Sequence, residues 1–214
     1  MVDPLFVTIM ISNMFSTVRW KPLYLVYLLW ALPHAVAETP RFFQDQFAIG
    51  LWVDPPADER MDARYAELAE ANFNLVLGGF GADRPVTAKR QIELCEKYGM
   101  KALVHCHGVP ADELPDGRAC WGYSVRDEPG VSSFPGLQTE VAQLRAVRPG
   151  KLAYINLFPN YASESALGVA TYDEYVARFC ETVNPDVLSM DHYPRFKPSE
   201  DKRARDGYCE NLAV

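Results

Sequence analysis

From Phe47 onward the sequence alternates short apolar runs with amphipathic stretches, strand then helix, joined by brief turns. Residues 47–53, 73–79, 100–107, 120–125, 151–157 and 186–191 read as six buried strands. Each is a short run rich in aliphatic and aromatic side chains, bounded by turn residues. Helices are expected over 58–72, 87–98 and 134–147. At the helical period these turn inward Met61, Tyr65, Leu68 and Ala69, then Ile92, Cys95 and Tyr98, then Leu137, Val141 and Leu144. A fourth helix follows Thr171, whose spacing to Glu174 is that of a capping box, and gathers Tyr172, Tyr175, Val176, Phe179 and Val183 on one side. Gly99, Pro149-Gly150 and Asn184-Pro185 stop these helices, and residues 206–214 read as the start of another. A Pro- and Gly-rich connection separates the third and fourth strands.

This order dictates a parallel sheet, because a strand re-entered from the same end needs a crossover, usually a helix. Either an open doubly wound sheet or a closed barrel satisfies it. The glycine-rich phosphate fingerprint of dinucleotide-binding sheets is absent after the first strand, where Trp52-Val53-Asp54-Pro55-Pro56 stands, and nothing in the sequence calls for a cofactor. Polar and aromatic residues gather instead at the C-terminal end of every strand. The expected class is therefore α/β, a parallel (β/α) TIM barrel, with its site on that rim. Six strands are about six of the eight β/α units of a complete barrel, so the barrel is expected to be incomplete.

Residues 1–37 read as a separate targeting segment. Arg19 and Lys21 precede the apolar run 23–32, and Ala35-Val36-Ala37 has the small residues of a cleavage site. The run is too short for a membrane span, which takes ~20 residues. Export to the periplasm or the extracellular space is the expectation, with residues 38–214 forming the partial barrel. A net charge of −7 argues against nucleic acid as a partner. Five cysteines without a C-x-x-C pair argue against a zinc site or a disulfide framework. Cys95 and Cys180 are expected on apolar helix faces. Oligomeric state is not legible.

The sharpest chemical signal is Gly122-Tyr123-Ser124-Val125-Arg126-Asp127-Glu128-Pro129-Gly130, at the end of the fourth strand. A carboxyl beside a second carboxylate has its pKa raised by the like charge and by partial burial, which suits a general acid. Glu128 is the candidate acid/base. Asp127 is the candidate to orient it or to bind a substrate hydroxyl. Trp52, Asp54, His105, His107, Asn156, Asp191, His192 and Tyr193 complete the set of candidate substrate-binding residues at the strand ends. His105 and His107 alternate along a strand and point the same way, which can begin a metal site.

Three stretches carry a family resemblance: the Gly122–Gly130 stretch, Tyr154-Ile155-Asn156-Leu157-Phe158-Pro159-Asn160, and Leu188-Ser189-Met190-Asp191-His192-Tyr193-Pro194. In these the chain resembles clan A glycoside hydrolases, especially beta-galactosidase-like members related to family 42. The resemblance implies hydrolysis of an O-glycosidic bond of a carbohydrate substrate, with Glu128 as acid/base. Asp127 stands where the clan has an Asn that holds the sugar 2-hydroxyl. The clan's nucleophile, a Glu ending strand seven, falls beyond Val214, so this chain alone is expected to be inactive. Two rival readings remain. One is a carbohydrate-binding or degenerate barrel without turnover. The other is a metal-dependent barrel hydrolase or isomerase using His105 and His107.

Overall fold

The computed structural model describes residues 39–106 and 108–193. The targeting-segment reading of 1–37, His107, Cys209 and the helix start at 206–214 all lie outside these residues. The elements run β1 (Gly50–Leu51), α1 (Met61–Glu70), β2 (Leu75–Leu77), α2 (Pro85–Lys97), β3 (Lys101–Val104), β4 (Cys120–Asp127), a 3-10 turn (Val131–Ser133), α3 (Phe134–Val147), β5 (Leu152–Leu157), α4 (Glu164–Leu167), α5 (Tyr172–Val183) and β6 (Ser189–Met190). The six strands pair in sequence order and every pair is parallel. They form a curled half-barrel with helices interleaved, an incomplete (β/α) barrel as the alternation predicts.

Strand alternation divides the apolar residues between two layers. On the outer face Val76, Ala102, Val104, Ile155 and Leu157 pack against Tyr65, Ile92, Leu137, Val141 and Phe179 of the helices in one continuous core. On the inner face Leu77, Leu103, Trp121 and Leu152 form a smaller cluster, with Phe42, Leu75, Tyr154 and Val187 around it. Phe42 meets the Trp121 ring edge-on, with centroids 5.6 Å apart.

Phe42 belongs to an extended segment ahead of β1 that is fastened at both ends. Arg41 donates to Asp186 at 2.5 Å and to the Asn184 side chain at 3.1 Å, and also to the carbonyls of Asn184 and Pro185. Further along, the Asn74 side chain accepts from Ile49 N–H and donates to the Phe47 carbonyl, each at 2.7 Å. Arg145 of α3 donates to the second oxygen of Asp186. The strap thus links the turn before β6 to the turn before β2.

The helix ends follow their sequence signals. Thr171 caps α5 by accepting from Glu174 N–H at 3.2 Å, and Asn184 closes it in the left-handed region at φ 51°. Gly99 and Gly150 follow α2 and α3 at φ 71° and 77°. One expectation fails: Cys180 is exposed, because the buried stripe of α5 runs through Tyr172, Tyr175, Val176, Phe179 and Val183, and position 180 lies one residue beyond it. Cys95 and Cys120 are buried thiols, and burial pushes Cys95 up to about 12 and Cys120 to about 11. The β3–β4 connection, residues 105–119, forms turns and no helix among its described residues.

Candidate active site

The C-terminal ends of β4, β5 and β6 bring two of the candidate residues, Asp127 and Asn156, into one network with Ser189 and Tyr154. Asp127 and Asn156 are partners across the β4–β5 ladder, and Asn156 donates its side-chain amide to Asp127 at 3.1 Å. Asn156 is buried, and its side-chain amide oxygen accepts from the Ser189 hydroxyl at 3.0 Å. Ser189 in turn lies 2.9 Å from the Tyr154 hydroxyl. Every polar atom of the Asn156 side chain used here points along a chain from the barrel interior to the rim carboxylate. The amide oxygen and nitrogen are thereby told apart, which fixes the orientation of the Asn156 side chain.

Glu128 sits at the lip of this network in an unusual conformation. Its φ is 43°, in the left-handed region that a branch-free glycine enters freely and a glutamate enters at a cost of ~1 kcal/mol or more. Among the described residues, the other non-glycine residues with positive φ, Asn72 and Asn184, are asparagines at helix ends, where that conformation is common. Bonds on both sides hold Glu128 there. Its N–H donates to the Asn156 carbonyl at 2.8 Å, and the next residue, Pro129, has its carbonyl clamped at 2.7 Å by the buried Tyr175 hydroxyl. Gly130 then passes so close to α4 that a Cβ there would lie 2.8 Å from the Ala166 carbonyl. Such over-determined backbone strain clusters at functional sites.

The electrostatics agree with the geometry. Partial burial, with the like charges of Asp127 and Asp191, holds the Glu128 carboxyl above the ordinary glutamate value. Asp191 is raised as well, by burial and by the Asp127 charge, against the pull of the Tyr193 hydroxyl and of His192. Both carboxyls bind their protons more tightly in the folded chain than in the unfolded one. Their contribution to stability is therefore full below the unfolded values of 4.5 and 3.8 and is lost as pH rises through the raised values.

The remaining candidates divide. His192 packs edge-on against Tyr161, centroids 5.1 Å apart, and the Tyr161 hydroxyl accepts from Tyr193 N–H at 3.1 Å, so both candidates border Asp191. Trp52 stands 6.5 Å from the Tyr154 ring. Trp52, His105, Ser124, Arg126 and Asp127 share the wall of a cavity of about 690 Å³ at the mouth of the sheet. Asp54 does different work. It is buried, and its carboxylate accepts three backbone N–H bonds, from Phe80 and Gly81 at 2.9 Å and Ala82 at 2.7 Å, which pins the loop after β2. Among the described residues, no group of three or more His, Cys, Asp or Glu is placed to hold a metal ion. The sequence reading missed Ser189, Tyr154 and Tyr175. The first two lie on the inward register of their strands with Asn156, and that alternation is the signal that could have found them.

No family model matches the chain, and no curated protein matches it. A phospho-2-dehydro-3-deoxyheptonate aldolase (DAHP synthase) of Thermotoga maritima is a structural neighbour at 12% identity and a TM-score of 0.39, over 74% of this chain and 45% of its own. The chain thus spans under half the length of that enzyme. The resemblance to clan A glycoside hydrolases is overturned by the absence of any match: no glycosidase family model and no curated glycosidase is matched. The three stretches carry Asp, Glu, His and aromatic residues, types that barrel strand ends of unrelated activity also gather. The expectation of O-glycosidic hydrolysis and the hydrolase, glycosidase and carbohydrate-metabolism assignments are withdrawn with it, and nothing found supports a signal peptide at 1–37. No helix among the described residues is long and apolar enough to cross a membrane.

Proposed function

We propose that the strand-end rim is a proton-transfer site for a small, uncharged, hydroxyl-bearing molecule, with Glu128 giving and taking the proton. One observation carries this reading: Glu128 is held in a left-handed conformation at the end of β4, fastened through Asn156 on one side and Tyr175 on the other. A carboxyl whose pKa lies nearer neutrality than usual is the better general acid or base, and such a group contributes about 10²–10⁴ in rate. Asp127 and Asn156 offer an acceptor and a fixed amide beside it, and the Trp52 ring borders the same mouth.

Charge selects against anionic ligands. Asp127, Glu128 and Asp191 crowd the rim, and the nearby Arg126 is paired with Glu140 at 3.7 Å. The backbone N–H groups of Phe80, Gly81 and Ala82 could have cradled a phosphate, but the Asp54 carboxylate occupies them. Ligand-detected NMR against matched sets of polyols and phosphate monoesters tests this directly. Polyols are expected to bind, with Asp127→Asn and Glu128→Gln each weakening them several-fold, and the phosphate esters are expected to give no signal. Phosphate monoesters binding more tightly than polyols would defeat the reading, as would polyol binding indifferent to both substitutions.

A further inference from the structure

A second cavity, of about 320 Å³, opens from the mouth towards the outer, helix-covered side of the sheet. Cys106, Ala111, Leu114, Tyr123, Val125 and Leu144 give it one apolar wall, while His105, Ser124, Glu140 and Gln143 line the rest, the first three at its border with the mouth. It exists because of the departure from strict alternation noted above. Between β3 and β4 no crossover helix is laid down, so the space such a helix fills against β4 and α3 stays open. The loop that replaces the helix is not slack. Arg148 of the turn after α3 donates to the carbonyls of Asp112 and Leu114 at 2.9 and 2.8 Å, and the Tyr123 hydroxyl donates to Pro115 at 3.1 Å. These bonds hold the loop off the sheet and give the cavity a fixed outer wall.

The two cavities adjoin: His105, Gly108, Ser124, Val125 and Glu140 border both, so one elongated ligand lying across this shared border would reach from the mouth into the pocket and use the two as one cleft. We propose that this cleft takes an amphiphilic ligand, with a hydroxyl-bearing head at the rim and an unbranched apolar arm between the 108–114 loop and α3. At the ~30 Å³ of a water-sized group, the pocket holds roughly ten heavy atoms. The assignment of the head rests on the proton-transfer reading of the rim; that of the arm rests on the pocket alone.

Chain-length dependence is the test. Affinities of 1,2-butanediol, 1,2-hexanediol and 1,2-octanediol are measured by titration calorimetry or ligand-detected NMR on the full chain. Burying a methylene is worth about a fourfold gain in affinity. The octanediol is expected to bind at least tenfold more tightly than the butanediol in the wild type. Ala111→Trp, which fills the pocket, is expected to reduce that ratio to about one. Protection of Cys106 against N-ethylmaleimide, read by peptide mass spectrometry with exposed Cys180 as the internal reference, locates the arm without any substitution. Octanediol is expected to slow Cys106 and not Cys180. Equal affinity for all three diols would overturn the proposal, as would unchanged Cys106 labelling or a ratio surviving Ala111→Trp. Failure of the head reading is distinct: diol binding would then be insensitive to Glu128→Gln while the chain-length ratio persisted.

Discussion

Replacing Gly122 by alanine is expected to disrupt the centre of the sheet. Gly122 pairs with Leu103 on one side and Leu152 on the other. A Cβ at this position would lie 2.1 Å from the Leu152 carbonyl oxygen and 2.7 Å from its Cβ. The obstacle is backbone of the next strand, which cannot rotate away, so β4 and β5 must separate or their ladder must break. A cost of ~4 kcal/mol or more is expected, in the exceptional range for one substitution. That is a large share of the roughly 5–15 kcal/mol that holds a domain together. Urea unfolding measures it. Gly136→Ala is the control: it lies in α3 with nothing within 4 Å of the added methyl, and it is expected to stabilise by about 0.5–1 kcal/mol through helix propensity. If both variants unfold at the same urea concentration as the wild type, the pairing of β4 with β5 is wrong.

Asp54→Ala is the second large effect. Removing the carboxylate leaves three backbone N–H groups, on Phe80, Gly81 and Ala82, without their acceptor. Each such donor costs about 1–3 kcal/mol if it stays buried. Gly81 leaves no room for the loop to collapse inward, since a Cβ there would already stand 1.9 Å from the Pro55 carbonyl. A loss of about 4 kcal/mol is expected. Asp54→Asn keeps one acceptor oxygen but turns an amide N–H₂ towards donors, and an intermediate loss of about 2 kcal/mol is expected. Amide hydrogen exchange gives the local reading: Phe80, Gly81 and Ala82 are expected to exchange much faster in both variants. Unaltered exchange at these three amides would remove Asp54 from its structural role and return it to the candidates for ligand binding.

Much of the fold was legible because period and punctuation carry it. The run 134–147 became a helix over those residues, with Leu137, Val141 and Leu144 buried as the spacing requires. The first and last strands were legible in place but not in length. Residues 47–53 yield a two-residue β1 and 186–191 a two-residue β6; among the described residues each is paired on one side alone, and strand hydrogen bonding, unlike hydrophobicity, needs a neighbour. The site was legible as a set of strand-end residues and not as an arrangement. Asp54 and Asp127 are the same residue type in similar positions. What separates them is a loop 26 residues away that folds back to give Asp54 three N–H groups, and no local pattern encodes that approach. The left-handed backbone of Glu128 was hidden for a similar reason, since it is imposed by Asn156 and Tyr175 from later strands and helices. The glycosidase resemblance came from residue types, which many strand-end rims share.

The titration of Glu128 itself tests its role as the proton-transfer group most directly. With selectively 13C-labelled glutamate, the Glu128 carboxyl is expected to titrate above the ordinary value of 4.5, held up by partial burial and by the charges of Asp127 and Asp191. Asp191→Asn and Asp127→Asn are each expected to move it downward without unfolding the chain, since each removes a like charge. A Glu128 that titrates at or below 4.5 in the wild type, and does not respond to either substitution, would contradict the assignment.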